Sequence, residues 1–282
     1  MTIDLILNGA LQGLILSIIA YAIMIPFRFL DFADLTSEGT YPLGGAICAT
    51  CITAGMSLLE AIFISVLAAG IIGISTALVH LKFKVNTMLA GIILSTMAYS
   101  INLRIMGKPN ISLFNCNTLF SNDIIGNISI LVVIITLLIL PLALFLRADF
   151  GLRFRAVGLN PDFAKKQGVS IEKYTVFGLF LAGSLAGLAG GLMVQIQNYM
   201  DIGMGVGIII HGLASLMIGE AIIGNNTLNK QLLAPFVGAL VYQQIQGIVI
   251  SFGLAPSDLK FFTGSVVLIV LAMQRQRVSK SA

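Results

Sequence analysis

Few residues in this sequence could make or break a bond. Cys48-Ala-Thr-Cys51 has the C-x-x-C spacing of a redox dithiol or a metal half-site. The pair lies inside an apolar run, however, and its surroundings point to packing. Cys116 has no obvious partner, and three cysteines are too few for a disulfide framework. Ionisable groups that could relay a proton within an apolar segment are equally scarce. Glu60 lies near the external end of one apolar run, and His80 and Glu220 lie near cytoplasmic ends. His211 alone is expected to be deep, where a lone histidine more often serves packing through a hydrogen bond. No G-x-x-x-x-G-K-[ST] phosphate loop is present. We therefore expect no catalytic residue and no metal ligand set in this chain. Work done here must draw on energy supplied from elsewhere.

The elements that carry these residues follow from composition. Of 282 residues, 57% are hydrophobic and only 10% charged. Mean hydropathy is +1.00. Ordinary soluble domains carry about 25% charge, and a water-soluble fold of this size could not cover so much apolar surface. The bilayer is the solvent, so backbone groups must pair internally, in helices or closed barrels. Unbroken apolar runs of about twenty residues select helices over ten-residue barrel strands. The reading is an all-α polytopic membrane protein of about nine transmembrane helices (eight to ten). The spans are expected at 5–27, 37–56, 58–80, 87–106, 128–146, 174–199, 204–224, 231–252 and 259–274. The N-terminus lacks the basic region of a cleavable signal, so the first run is expected to stay as a span. Residues 1–282 read as one transmembrane domain with a cytoplasmic loop at 147–173.

The net charge of +4 reflects orientation, not nucleic-acid binding. Arg28, Lys82, Lys84, the six basic residues from Arg147 to Lys173, Lys230, and Arg275, Arg277 and Lys280 all fall on one side of a nine-span topology. That side is the cytoplasm, which puts the N-terminus outside and the C-terminus inside. Arg104 and Lys108 are the exceptions. On the outer side, Gly107–Asn127 is a polar segment.

Within the long cytoplasmic loop, Gly158-Leu-Asn-Pro-Asp-Phe-Ala-Lys-Lys-Gln-Gly168 is punctuated as one short helix. Asn160 can cap it, Pro161 suits the first helical position, and Asp162 opposes the positive end of the helix dipole. Lys165 and Lys166 fall in the last turn, and Gly168 can take the left-handed C′ conformation. Ser170 is expected to cap the helix that follows. A stiff amphipathic piece on the side where ATP is found reads as a docking element for a partner.

Glycine is abundant, with 29 in the chain. Gly183, Gly187 and Gly191 recur every four residues and leave one helix face nearly bare, suited to close helix approach. Two Gly-rich stretches, Thr36–Gly45 with Pro42 inside and Asp201–Gly207, read as broken spans. By the topology above they run in opposite directions, as an inverted repeat requires.

Several of these segments resemble a bacterial permease family. They are Arg28-Phe-Leu-Asp-Phe-Ala-Asp-Leu-Thr-Ser-Glu-Gly-Thr-Tyr-Pro-Leu-Gly44, Leu89-Ala-Gly-Ile, Tyr99–Gly107, Pro109–Leu113, Gly151–Pro161 and Ile218-Gly-Glu-Ala221. The family is that of ATP-binding cassette (ABC) transporter permeases related to the branched-chain amino acid and ribose permeases, in a subfamily ascribed to tryptophan or tyrosine transport. The resemblance covers nearly the whole chain. It implies an importer permease in the bacterial cytoplasmic membrane with inverted-repeat architecture, working as a homodimer. It implies a separate cytoplasmic ATPase that uses ATP and Mg²⁺, and an extracytoplasmic solute-binding protein that delivers a small solute, with aromatic amino acids favoured. Asn160, Pro161, Asp162, Ala164 and Gly168 would form the ATPase-coupling helix. Thr40, Tyr41, Gly44, Gly45, Met204 and His211 are candidates for the translocation path. An ion-driven secondary carrier and an exporter of related fold are the alternatives, the first testable at His211 and Glu220.

Overall fold

The structure, a computed structural model, describes residues 2–121 and 123–251 together with 261, 264, 265 and 268. It is helical apart from one two-stranded ladder. Helix α1 (Thr2–Met24) continues into a π-helical turn at Ile25–Phe29, where Pro26 interrupts the regular ladder. α2 (Ser37–Thr53), α3 (Leu58–Phe83) and α4 (Thr87–Met106) follow. Strand β1 (Asn110–Ser112) precedes α5 (Ile124–Arg147), α6 (Asp149–Leu159), α7 (Pro161–Lys166) and α8 (Ile171–Gln197). Strand β2 (Tyr199–Asp201), a 3₁₀ turn (Ile202–Gly205), α9 (Ile208–Ile223) and α10 (Leu228–Ser251) complete the described order.

Local chemistry fixes several boundaries. Glu60, considered above as an ionisable group, closes a capping box at the start of α3. Ser57 N donates to Glu60 Oε2 at 3.1 Å, and Glu60 N donates to Ser57 Oγ at 3.4 Å. Asn86 Oδ1 accepts from Met88 N at 2.9 Å to begin α4, and Gly107 ends it in the left-handed region at φ +67°.

Among the described residues, seven helical segments are long and apolar enough to cross a membrane. They match seven of the nine expected spans. The expected span at 37–56 is α2, a helix of 17 residues that is buried along nearly its whole length. The expected span at 259–274, and Arg275, Arg277 and Lys280 after it, lie outside the described residues.

The chain divides into two compact units. One is built from Tyr21–Ser121 and Leu140–Ile209. In it α2 is covered by its neighbours; Gly39 of α2 lies against Ser95 of α4, and Gly91 of α4 against Leu35 and Thr36 just before α2. The β1–β2 ladder is antiparallel, with Ile111 opposite Met200, and ties the polar 107–121 segment to the end of α8. The other unit is built from the chain up to Ala20, Asn122–Ile139 and the chain from Ile210. There α9 and α10 meet backbone to backbone. A methyl at Gly219 would strike the Ala234 carbonyl, and one at Gly238 the Ser215 carbonyl. Lipid offers helices no hydrophobic reason to associate, so such close approach supplies the packing energy.

Candidate functional site

The stretch Thr36–Gly45 is not a break. Helix α2 runs through it, with Pro42 inside. The irregular backbone lies just before, at residues 30–36, and at 202–207. The two glycine-rich stretches nevertheless meet. Pro42 has no N–H to give to the Glu38 carbonyl one turn earlier. Gly205 packs against that same carbonyl and against Pro42, where any side chain would collide. Glu38 Oε1 also accepts from Gly207 N at 3.2 Å, and Gly207 sits in the left-handed region at φ +85°.

The glycine ridge of α8 serves two helices. Gly183 and Gly187 face Ala69 of α3, while Gly190 lies on the Tyr41 carbonyl and Gly44 on the Gly187 carbonyl. Gly191 is looser, 3.4 Å from Cys48 Cβ for an added methyl. Thr40, Tyr41, Gly44 and Gly45 are all buried, and the glycines and Tyr41 work as helix-packing positions. Met204 is half-buried against a cluster that includes Ala46, Cys48, Val194 and Met200.

Gln195, which sequence reasoning passed over, anchors this seam at the C-terminal end of α8. It is fully buried. Its Oε1 accepts from Leu119 N at 3.0 Å, and its Nε2 lies 3.4 Å from both Cys48 Sγ and the Gly191 carbonyl. Cys48 therefore has a packing and hydrogen-bonding role. Among the described residues no group of three or more His, Cys, Asp or Glu is placed to hold a metal ion.

His211 belongs to the other unit. Its Nδ1 lies 2.8 Å from Tyr242 Oη, and Gln246 Nε2 donates to that same oxygen at 2.8 Å. Gln246 Nε2 also lies 3.4 Å from His211 Nδ1, so the three side chains form one polar cluster in which the histidine tautomer sets whether Nδ1 or the Tyr242 hydroxyl is the donor. Neither Tyr242 nor Gln246 was anticipated, since nothing in their spacing marks them.

The segment 147–173 keeps its expected punctuation. Asn160 Oδ1 accepts from Phe163 N at 2.9 Å, Pro161 occupies the first turn, and Gly168 is left-handed at φ +76°. Ser170 takes the N-cap position of α8 without a side-chain hydrogen bond, contrary to expectation. Ala164 is 1% exposed, whereas Leu159 is 87% and Phe163 57% exposed. Ala164 is thus the inward face of α7, while Phe163 projects from α7 and Leu159 from the end of α6.

A second helix in this segment, α6, was not foreseen. Gly151 and Gly158 seat it against the ends of α5 and α1, since added methyls would strike the Phe145 and Phe29 carbonyls. Its Phe150 and Phe154 join an aromatic cluster. Phe150 lies 4.6 Å from Tyr174, and Phe145 lies 5.4 Å from Phe177 and 6.0 Å from Phe154 between ring centres. Phe29 meets Phe154 at 6.4 Å. Such ring pairs add about 0.5–1.5 kcal/mol each beyond the area they bury.

At the foot of α2, buried Asp34 accepts from Thr36 N at 2.8 Å and from the Thr36 hydroxyl, which in turn lies 2.9 Å from Thr76 Oγ1 of α3. Burial pushes the Asp34 carboxyl above the usual carboxylate range, while the Thr36 bonds pull it partly back.

Comparison with known proteins then gives a consistent match. Residues 5–272 fit the family model described as "Branched-chain amino acid transport system / permease component". The chain is 36% identical to a tyrosine transport system permease protein of Clostridioides difficile, over 97% of this chain and 92% of that one. It is 34% identical to an uncharacterised protein of Rickettsia prowazekii, over 95% and 97% respectively. Among solved structures, it shares its fold with a metal-chelate type ABC transporter in an inward-facing conformation. The TM-score is 0.54 at 17% identity, covering 97% of this chain and 85% of that one.

Proposed function

This chain belongs to the family of branched-chain amino acid transport system permease components, and we propose on that premise that it imports an amino acid, with aromatic side chains favoured. It is the membrane-spanning permease component of an ABC transporter, a transport component and not an enzyme. The preference for aromatic solutes draws on the tyrosine permease of C. difficile. In this reading a solute-binding protein delivers the solute outside, and a separate ATPase chain spends ATP and Mg²⁺ inside. Two permease copies share one path in a bacterial cytoplasmic membrane.

The reading keeps nine spans in one transmembrane domain, 1–282, with inverted-repeat architecture, the N-terminus outside and the C-terminus in the cytoplasm. Helix directions agree with it. Gly9 and Gly13 of α1 meet Gln244 and Leu240 of α10 in antiparallel order, and Gly73 and Gly183 pair α3 antiparallel to α8. Thr40, Tyr41, Gly44 and Gly45 would reach the path only when α2 moves against α8. Met204 and His211 are already partly exposed.

The observation that carries the proposal is the build of α7. Asn160, Pro161, Asp162 and Gly168 set its ends, Ala164 seats it, and Phe163, beside Leu159 at the end of α6, projects outward for the ATPase to grip. Thrust on α7 would pass through α6 and its aromatic cluster to α1, α5 and α8. The test is the double variant Leu159→Asp, Phe163→Asp. Both residues are exposed, so insertion should be unchanged while solute-stimulated ATP hydrolysis falls to the basal rate. Full stimulation in that variant would sink the coupling role.

A further inference from the structure

We infer that a groove on α3 and α8 is a binding site for a phosphatidylethanolamine lipid. The groove encloses about 540 Å³ and is lined by Ile74, Glu172, Lys173, Val176, Phe177 and Phe180. Its walls are apolar except at one end, where Glu172 and Lys173 are exposed side by side. Neither charge makes an ion pair or hydrogen bond among the described residues.

Depth and charge identify the occupant. From Glu172 to Phe180 is eight residues of helix, about 12 Å of rise. Half the hydrocarbon core is about 15 Å. The groove therefore runs from a headgroup level to most of one leaflet's depth, the length over which an acyl chain lies beside a helix. At the rim, Lys173 matches a phosphate and Glu172 matches an ammonium that can donate hydrogen bonds. A lipid carrying both is zwitterionic with a primary amine. Phosphatidylglycerol would satisfy Lys173 but has no cation to offer Glu172. Phosphatidylcholine offers a cation without N–H donors. A soluble phosphate ester would leave the apolar walls uncovered.

The inference rests on α3 and α8 lying in a membrane, not on the coupling role of α7. The Leu159→Asp, Phe163→Asp variant should leave it untouched, so the two proposals fail separately. The test uses the full-length permease in mixed micelles with equimolar phosphatidylethanolamine, phosphatidylcholine and phosphatidylglycerol of identical acyl chains, and native mass spectrometry of the lipid retained. The wild type should retain phosphatidylethanolamine about fivefold over either competitor, the factor expected of one favourable charge pair. Glu172→Gln should erase that preference while lipid is still retained. Val176→Trp should plug the groove and lose the retained lipid altogether. Equal retention of phosphatidylcholine by the wild type, an unchanged preference in Glu172→Gln, or a second permease copy crosslinking through Phe177 in place of lipid would each overturn the assignment.

Discussion

The seam of α2, α3 and α8 and the clamp of α6 and α7 hold together in opposite ways. In the seam, backbone touches backbone. Gly44, Gly187 and Gly190 leave no side chain to rotate aside, so a displacement of one helix must move the next. In the clamp, rings touch rings at 4.6–6.4 Å, and aromatic pairs slide and tilt at small cost. One region suits transmission of a push without loss. The other suits reception of a push from a partner whose contacts change. The contrast also explains where polar groups lie. The seam holds its polar side chains buried, as at Gln195, Thr36 and Thr76, whereas the clamp carries most of its charges in solvent.

The sharpest way to break the comparison is at the seam. Gly190→Leu should abolish folded permease, because even its first added carbon would overlap the Tyr41 carbonyl. Overpacking typically costs about 1–3 kcal/mol and more where backbone is struck. Detergent-solubilised yield by size-exclusion chromatography would read it, and a well-folded variant would mean that the seam can give. The clamp should respond less drastically. Phe154→Ala removes a ring that is 1% exposed and touches both Phe29 and Phe145, at a cost of about 3 kcal/mol. The protein should still insert, with a lowered melting midpoint and weakened ATPase stimulation. An unaltered stimulation would show that α6 does not relay the push.

The smallest effect is expected at Asp34, below the seam. Its folded-state pKa is raised, so the folded protein holds the proton more tightly than the unfolded chain. Stability from this group is present below the ordinary carboxylate range and is lost as pH rises through the raised value. Asp34→Asn keeps an acceptor for Thr36 N and its hydroxyl without the charge. It should flatten that part of the pH–stability profile and match or slightly exceed the wild type at neutral pH. A variant clearly less stable there would mean that the charge itself is needed.

Residues that announce their own geometry made much of this legible in advance. The α4 span agrees at both ends because Asn86 starts the helix and Gly107 stops it. The ends of α7 agree for the same reason at Asn160, Pro161 and Gly168. Helix α6 was hidden because Ala148 caps nothing and its glycines look like loop residues. Their reason is a neighbour's carbonyl, which no single sequence displays. Pro42 misled in the same direction, suggesting a break where Gly205 in fact shields the carbonyl it leaves free. Gln195, Tyr242 and Gln246 depend on partners distant in sequence, so composition could not single them out.

The near-complete burial of α2 has a consequence for assembly on the ribosome. A helix of 17 residues that includes Glu38, Ser37, three threonines and Pro42 is a poor candidate to rest alone in lipid. The surface that covers it includes α8, whose last residue is Gln197. At about 5–20 residues per second, that cover is synthesised on the order of ten seconds after α2 itself. Until then α2 must shelter with α3 and α4 or at the insertion machinery. A nascent chain stalled before residue 171 should therefore hold α2 in a state open to aqueous labelling.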